Sequence, residues 1–266
     1  GSAPIFRPRG NAFNLAYLQR IRVLAESAQP PRLRSPEEGR TVLYHGSAGD
    51  LSTALVMGAT RFIFVDEHPF FPGAGVSRRM VRASVRTYLD SKRDKGWAEQ
   101  SRHADLGVGL WPLLQAELAI LRATRIRLQP DPYDGRAFLV TFRWEGRDRH
   151  LRVISGTDAA AFGRYEQYVT AWGGVDVYLR KAMQYNDLEP GQAMMLTRGV
   201  VEDWLRPGGV VVLDSLHAVP LTPWAIGLQE WHGPSRQDQE LAFLEHQGAR
   251  FGYGPDSQPD SKYYRG

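Results

Sequence analysis

Across 266 residues the chain has no cysteine, 33 Lys and Arg against 29 Asp and Glu, and a net charge of +4. Thiol chemistry, disulfides and thiolate metal sites are therefore excluded. Hydrophobic residues at 42% and charged residues at 23% are ordinary for a globular fold, and no apolar run approaches the roughly 20 residues of a membrane span.

Gly1-Ser2 reads as an expression remnant, and Ala3 to Gly10 as an irregular arm. Cytoplasmic residence is the expectation, with a trimmed targeting segment upstream left open. Asn11 to Ala28 repeats apolar residues at Phe13, Tyr17, Ile21 and Leu24, a helical period. Residues 1–39 are thus an arm and a helix, and residues 40–266 a single α/β domain. In Thr41 to Glu67 an apolar run enters the small-residue turn His45-Gly46-Ser47-Ala48-Gly49-Asp50. A short helix from Leu51 to Met57 and a second apolar run, Phe62 to Val65, follow. This run ends on Asp66-Glu67, with Asp66 twenty positions past Gly46. Strand, turn, helix, strand and terminal acid make a βαβ unit suited to a nucleoside-type ligand. Glycine lets backbone N–H groups come close, and a carboxylate at that spacing suits ribose hydroxyls. Asp66 also reads as a solvated strand-end acid or a helix cap.

Arginine supplies 29 of the 33 basic residues, which reads first as codon bias. After the Pro- and aromatic-rich loop from His68 to Gly75, Arg78, Arg82 and Arg86 recur at helical spacing beside an apolar stripe of Val81, Val85 and Leu89. A solvated helix face is the first reading and an acidic partner or nucleic acid the second. Pro112 to Ala123 predicts a helix that buries Leu113, Leu114, Leu118 and Leu121. Three strands follow at Arg125–Leu128, Arg136–Trp144 and Arg149–Ser155, the last two forming a hairpin around Glu145-Gly146. A helix from Ala159 to Thr170, a strand from Val175 to Leu179 and a helix from Gly191 to Leu205 come next. That helix should end at Arg206-Pro207-Gly208-Gly209, ahead of the buried strand Val210 to Leu213. Gln237 to His246 reads as a last helix, with closing strands at Ala249–Gly254 and Lys262–Arg265.

Three stretches carry a family resemblance: VLYHGSAGD…FIFVDE, WLRPGGVVVLDS and FLEHQGARFGYG…SKYYRG. From about Arg40 onward the chain resembles the class I S-adenosylmethionine-dependent methyltransferases. The resemblance implies a doubly wound α/β fold: a mostly parallel, seven-stranded sheet with one antiparallel strand, carrying here an inserted β-hairpin and an N-terminal helix. It implies S-adenosylmethionine as cofactor, bound by Gly46, Ser47, Ala48, Gly49, Asp50, Asp66, Glu67, Asp158 and Ala159. Asp66 would take the ribose hydroxyls and Asp158-Ala159 the adenine, although Asp158 equally suits a helix N-cap. Arg180-Lys181, Tyr185 and Asp214 to His217 would line the side of a small-molecule acceptor, although Lys181, Tyr185 and His217 read first as ordinary loop residues.

The chain departs from the family at Tyr44, where an acid is expected, and at Ala48 and Asp50, where glycines are usual. Two unit charges 4 Å apart near a surface interact by about 4 kcal/mol. Asp50 should therefore repel a dinucleotide pyrophosphate and attract a sulfonium ligand. Methyl transfer depends mainly on alignment, so no catalytic residue stands out. Asp66-Glu67-His68 alternate along an extended segment and should converge poorly on a metal, so none is expected. Ser47 and Ser215 lack a nucleophile-elbow motif. Four readings result, in order: a small-molecule methyltransferase, a degenerate module of the same fold without activity, an NAD-dependent oxidoreductase, and a nucleic-acid methyltransferase. The oligomeric state has no signal.

Overall fold

A computed structural model of the chain describes residues 3–7, 15–27, 31, 33–94, 106–157, 162–180, 199–213, 229–231, 243–246 and 249–253. The strands are β1 (Ala3–Arg7), β2 (Thr41–His45), β3 (Arg61–Val65), β4 (Thr124–Pro130), β5 (Ala137–Trp144), β6 (Arg147–Ile154), β7 (Val175–Arg180), β8 (Leu205–Leu213), β9 (Gln229–Trp231), β10 (Phe243–His246) and β11 (Ala249–Tyr253). The helices are α1 (Leu15–Ser27), α2 (Leu51–Val56), α3 (Arg78–Asp94), α4 (Leu110–Ile120) and α5 (Glu166–Ala171). A five-residue π-turn, Val200–Trp204, leads into β8.

These strands form one mixed sheet in the order β4-β5-β6-β3-β2-β7-β8-β1-β11-β10-β9. Pairing is parallel from β6 across to β11 and antiparallel at the two ends. The expected α/β class holds, and β4 to β8 form a contiguous block of seven strands. Within this block β5 alone runs against the rest, pairing antiparallel with β4 and with β6, as the single antiparallel strand expected.

Alternation along each strand sorts the side chains onto two faces. Val42, Tyr44, Phe62, Phe64, Val177 and Leu179 face a core shared with Leu18 of α1, Leu51 and Ala54 of α2, Tyr88 of α3 and Leu113 of α4. Leu113, Leu114 and Leu118 are buried as the helical pattern requires. On the other face α5 covers the sheet, with the Arg152 guanidinium 3.8 Å from the Tyr168 ring centroid. Helices thus lie on both faces of the sheet.

At the amino end of the strands the buried Asp176 carboxylate accepts the Thr41 N–H at 2.8 Å and pairs with Arg34 at 2.7 Å. Arg34 also donates to the Trp172 and Gly174 carbonyls. The clamp joins the approach to β2 with the start of β7.

Four local expectations are corrected. Ala3–Arg7 is a strand lying between β8 and β11 and parallel to both, a pairing decided by partners far away in sequence. The hairpin is not an insertion beside the sheet, since β6 pairs in parallel with β3 and only β4 and β5 extend outward. Arg206 to Gly209 do not reverse the chain. Val175 pairs with Leu205 and Val177 with Val210, so these residues bulge out of β8. Phe243–His246 is a strand against β11, not the end of a helix. The expected closing strand at Lys262–Arg265 lies outside the described residues.

Candidate functional site

From β2 the chain passes outward to β3 and then β6, whereas β7 and β8 lie on the other side of β2. Strand order therefore reverses between β2 and β7, and the crevice outside the carboxyl ends at such a point is where open α/β sheets hold ligands. The residues nearest this point are His45 and the turn that follows it, Asp66 after β3, and Arg180 at the end of β7.

The turn after β2 is built tightly. The Gly46 N–H donates to the Val65 carbonyl at 3.0 Å, tying the turn to β3. Ala48 takes φ +46°, a left-handed conformation that costs a non-glycine residue about 1–2 kcal/mol. Its N–H donates to Asp66 Oδ2 at 2.7 Å, and a hydrogen bond to a charged group offsets that strain. Asp66 Oδ1 accepts from the His68 N–H at 3.0 Å and lies 2.7 Å from His68 Nδ1. Asp66 is only 5% exposed. Glu67 is exposed, 3.9 Å from His68 Nε2. The chain turns after Val65, so Asp66 and Glu67 flank different nitrogens of the His68 ring and do not converge on one point.

Asp50 is turned into the protein. It is fully buried, accepts the Tyr44 hydroxyl at 2.7 Å, and caps α2 by accepting the Thr53 N–H at 3.4 Å. Its predicted role in attracting a sulfonium and repelling a phosphate therefore lacks the exposed charge it needs. The Leu51 N–H donates to the Gly49 carbonyl and the Ser52 N–H to Glu117 Oε2. The first three N–H groups of α2 are thus engaged within the protein, which deprives a pyrophosphate of the donors such a turn usually offers. Glu117 also accepts the Ser52 hydroxyl, and it accepts the Tyr88 hydroxyl at 2.8 Å. Burial first, then the nearby charge of Asp50, pushes the Tyr88 phenol well above the usual tyrosine range.

Gly49 serves packing. A Cβ there would lie 2.6 Å from Leu113 Cβ and 3.1 Å from the Leu114 nitrogen, so its missing side chain is what lets α4 close over the turn. At the start of α4, the N–H groups of Leu110 and Trp111 donate to the Pro69 and Phe70 carbonyls. Phe70 stacks on Phe138 at 3.9 Å, which fixes the loop after Asp66 against β5.

The structure thus brings Gly46, Ser47, Ala48, Gly49, Asp50, Asp66 and Glu67 together. Asp158, Ala159, Lys181, Tyr185, Asp214 and His217 lie outside the described residues. Thr157, just before Asp158, donates its N–H to the Asp66 carbonyl at 3.2 Å, and the Gly156 N–H donates to the His68 carbonyl at 3.0 Å. The chain leading to Asp158 therefore runs beside the acid.

Sequence reasoning missed a cluster on the α5 side of the switch point. The buried His45 Nδ1 lies 2.8 Å from the Tyr178 hydroxyl, bridging β2 and β7. Tyr165 packs edge-on against His45 at 5.6 Å and against Trp204 at 5.4 Å. Nothing in the sequence pairs His45 with a residue 133 positions away. Among the described residues no three His, Asp or Glu side chains are grouped to hold a metal ion, and no helix is long and apolar enough to cross a membrane. No family model, curated protein or solved structure matches this chain.

Proposed function

We propose that the chain is an S-adenosylmethionine-dependent methyltransferase-like enzyme acting on a small molecule. The observation that carries this reading is Asp66. It stands at the carboxyl end of β3, one strand from the switch point, with its carboxylate against the backbone of the Gly46–Asp50 turn. A vicinal diol needs such an acceptor beside a small-residue turn.

A carboxylate offers about four acceptor positions. Ala48 N–H, His68 N–H and His68 Nδ1 take three of them. Two ribose hydroxyls therefore fit only when the His68 ring leaves Oδ1. That ring is the part-exposed partner of the three, its side chain being 28% exposed. S-adenosylmethionine supplies a methyl group already activated on a sulfonium. The chain's own part is then to bind and align it: Asp66 as diol acceptor, and the backbone of Gly46 to Ala48 as a close-fitting wall.

The second reading is a module of this fold that methylates nothing. Two features favour it: Asp50 is buried as a helix cap, and α4 packs on Gly49.

Calorimetric titration with S-adenosylmethionine and S-adenosylhomocysteine separates the two. The enzyme reading expects saturable binding that Asp66→Asn weakens by at least about tenfold, since a hydrogen bond to a charged group contributes about 1.5–3 kcal/mol. It also expects His68→Ala to tighten binding by freeing Oδ1. Folded protein that binds neither compound is the module.

A further inference from the structure

We propose that the groove between α3 and α4 binds an anionic amphiphile, a small molecule with one carboxylate head on an unbranched apolar tail. The groove is open to solvent and offers about 480 Å³, within the size range of small-molecule sites. Its floor is the stripe Val81, Val85 and Leu89 of α3 with Pro112 of α4 opposite. All four are half-buried, so aliphatic surface stays in contact with water between two helices already joined by Tyr88 and Glu117. Such surface gains free energy when an apolar group covers it.

The wall supplies the charge. Arg82 and Arg86, one helical turn apart, line the same groove and are exposed. Among the described residues neither forms an ion pair, and no carboxylate is in the lining. A guanidinium fork matches a carboxylate with two parallel hydrogen bonds. A tail lying along Val81, Val85 and Leu89 sets its head against these two forks, so one molecule satisfies both unmet surfaces. Among the described residues no aromatic ring lines the groove to stack a nucleobase, which favours an acyl tail over nucleic acid. The groove lies on the outer surface of the α3–α4 pair, and the proposal is independent of methyl transfer.

The test is titration of the whole chain with sodium octanoate, reading the methyl NMR signals of Val81, Val85 and Leu89. Saturable shifts of all three are expected, with octan-1-ol and sodium acetate each at least about tenfold weaker, because each lacks one of the two contacts. The Arg82→Gln/Arg86→Gln double variant, which changes only exposed side chains, should bind octanoate no better than octan-1-ol. Three results would each overturn the proposal: no octanoate shift, equal binding by the double variant, or acetate as effective as octanoate. A short oligonucleotide that shifts these methyls when octanoate does not would assign the stripe to nucleic acid instead.

Discussion

Tyr168 holds its phenolic proton more tightly than a free tyrosine. Burial first, then the hydrogen bond it donates to Asp131, pushes its pKa from the ordinary 10.0 up to about 12. The unfolded chain ionises near 10 while the folded chain stays protonated, so the folded state binds the extra proton between those values. This contribution is complete below 10, and stability falls as pH rises through about 12. Urea unfolding across that interval should show a decline that Tyr168→Phe reduces. An identical decline in both proteins would mean that other groups cause it, Tyr88 among them. Asp66 teaches a related lesson about single residues. As a strand-end acid it was legible in the sequence. Its hydrogen bonds to the Ala48 and His68 N–H groups were not, since backbone donors leave no trace in residue type.

Among the elements, the β2–α2–β3 unit was the most legible. Val42 to Tyr44 and Phe62 to Val65 are too short and too apolar to be exposed helices, and Asp50 stands directly before the first helical residue, Leu51. The purpose of the small residues was misread. Gly49 was expected to admit a ligand, yet the structure uses it to admit α4. Gly49→Ala should therefore cost about 1–3 kcal/mol, because the new methyl meets Leu113 and backbone that cannot rotate away. Denaturant unfolding checks this, and a neutral substitution would show that α4 yields readily. β10 and the Arg206–Gly209 bulge were misread for a different reason. Both are decided by neighbouring strands, and local propensity carries no record of a partner.

At the scale of the molecule, the sheet is held at its amino end by Arg34 and Asp176, which are 142 positions apart. Removing the acid leaves a largely buried guanidinium without its counter-ion. Asp176→Ala should therefore lower unfolding free energy by about 3–5 kcal/mol, read from urea midpoints. A loss below about 1 kcal/mol would class the pair with solvent-screened surface contacts.

β2 lies between a neighbour that arrives early and one that arrives late. β3 follows it almost at once, but Tyr178 of β7 trails His45 by 133 residues. At about 5–20 residues per second on the ribosome, roughly 7 to 27 seconds pass before that side of β2 finds its partner. Throughout that interval the nascent chain presents an apolar strand edge, with unpaired N–H and C=O groups, to every other chain being made nearby. Shielding this edge during synthesis is therefore a demand on the chain separate from the stability of the finished sheet.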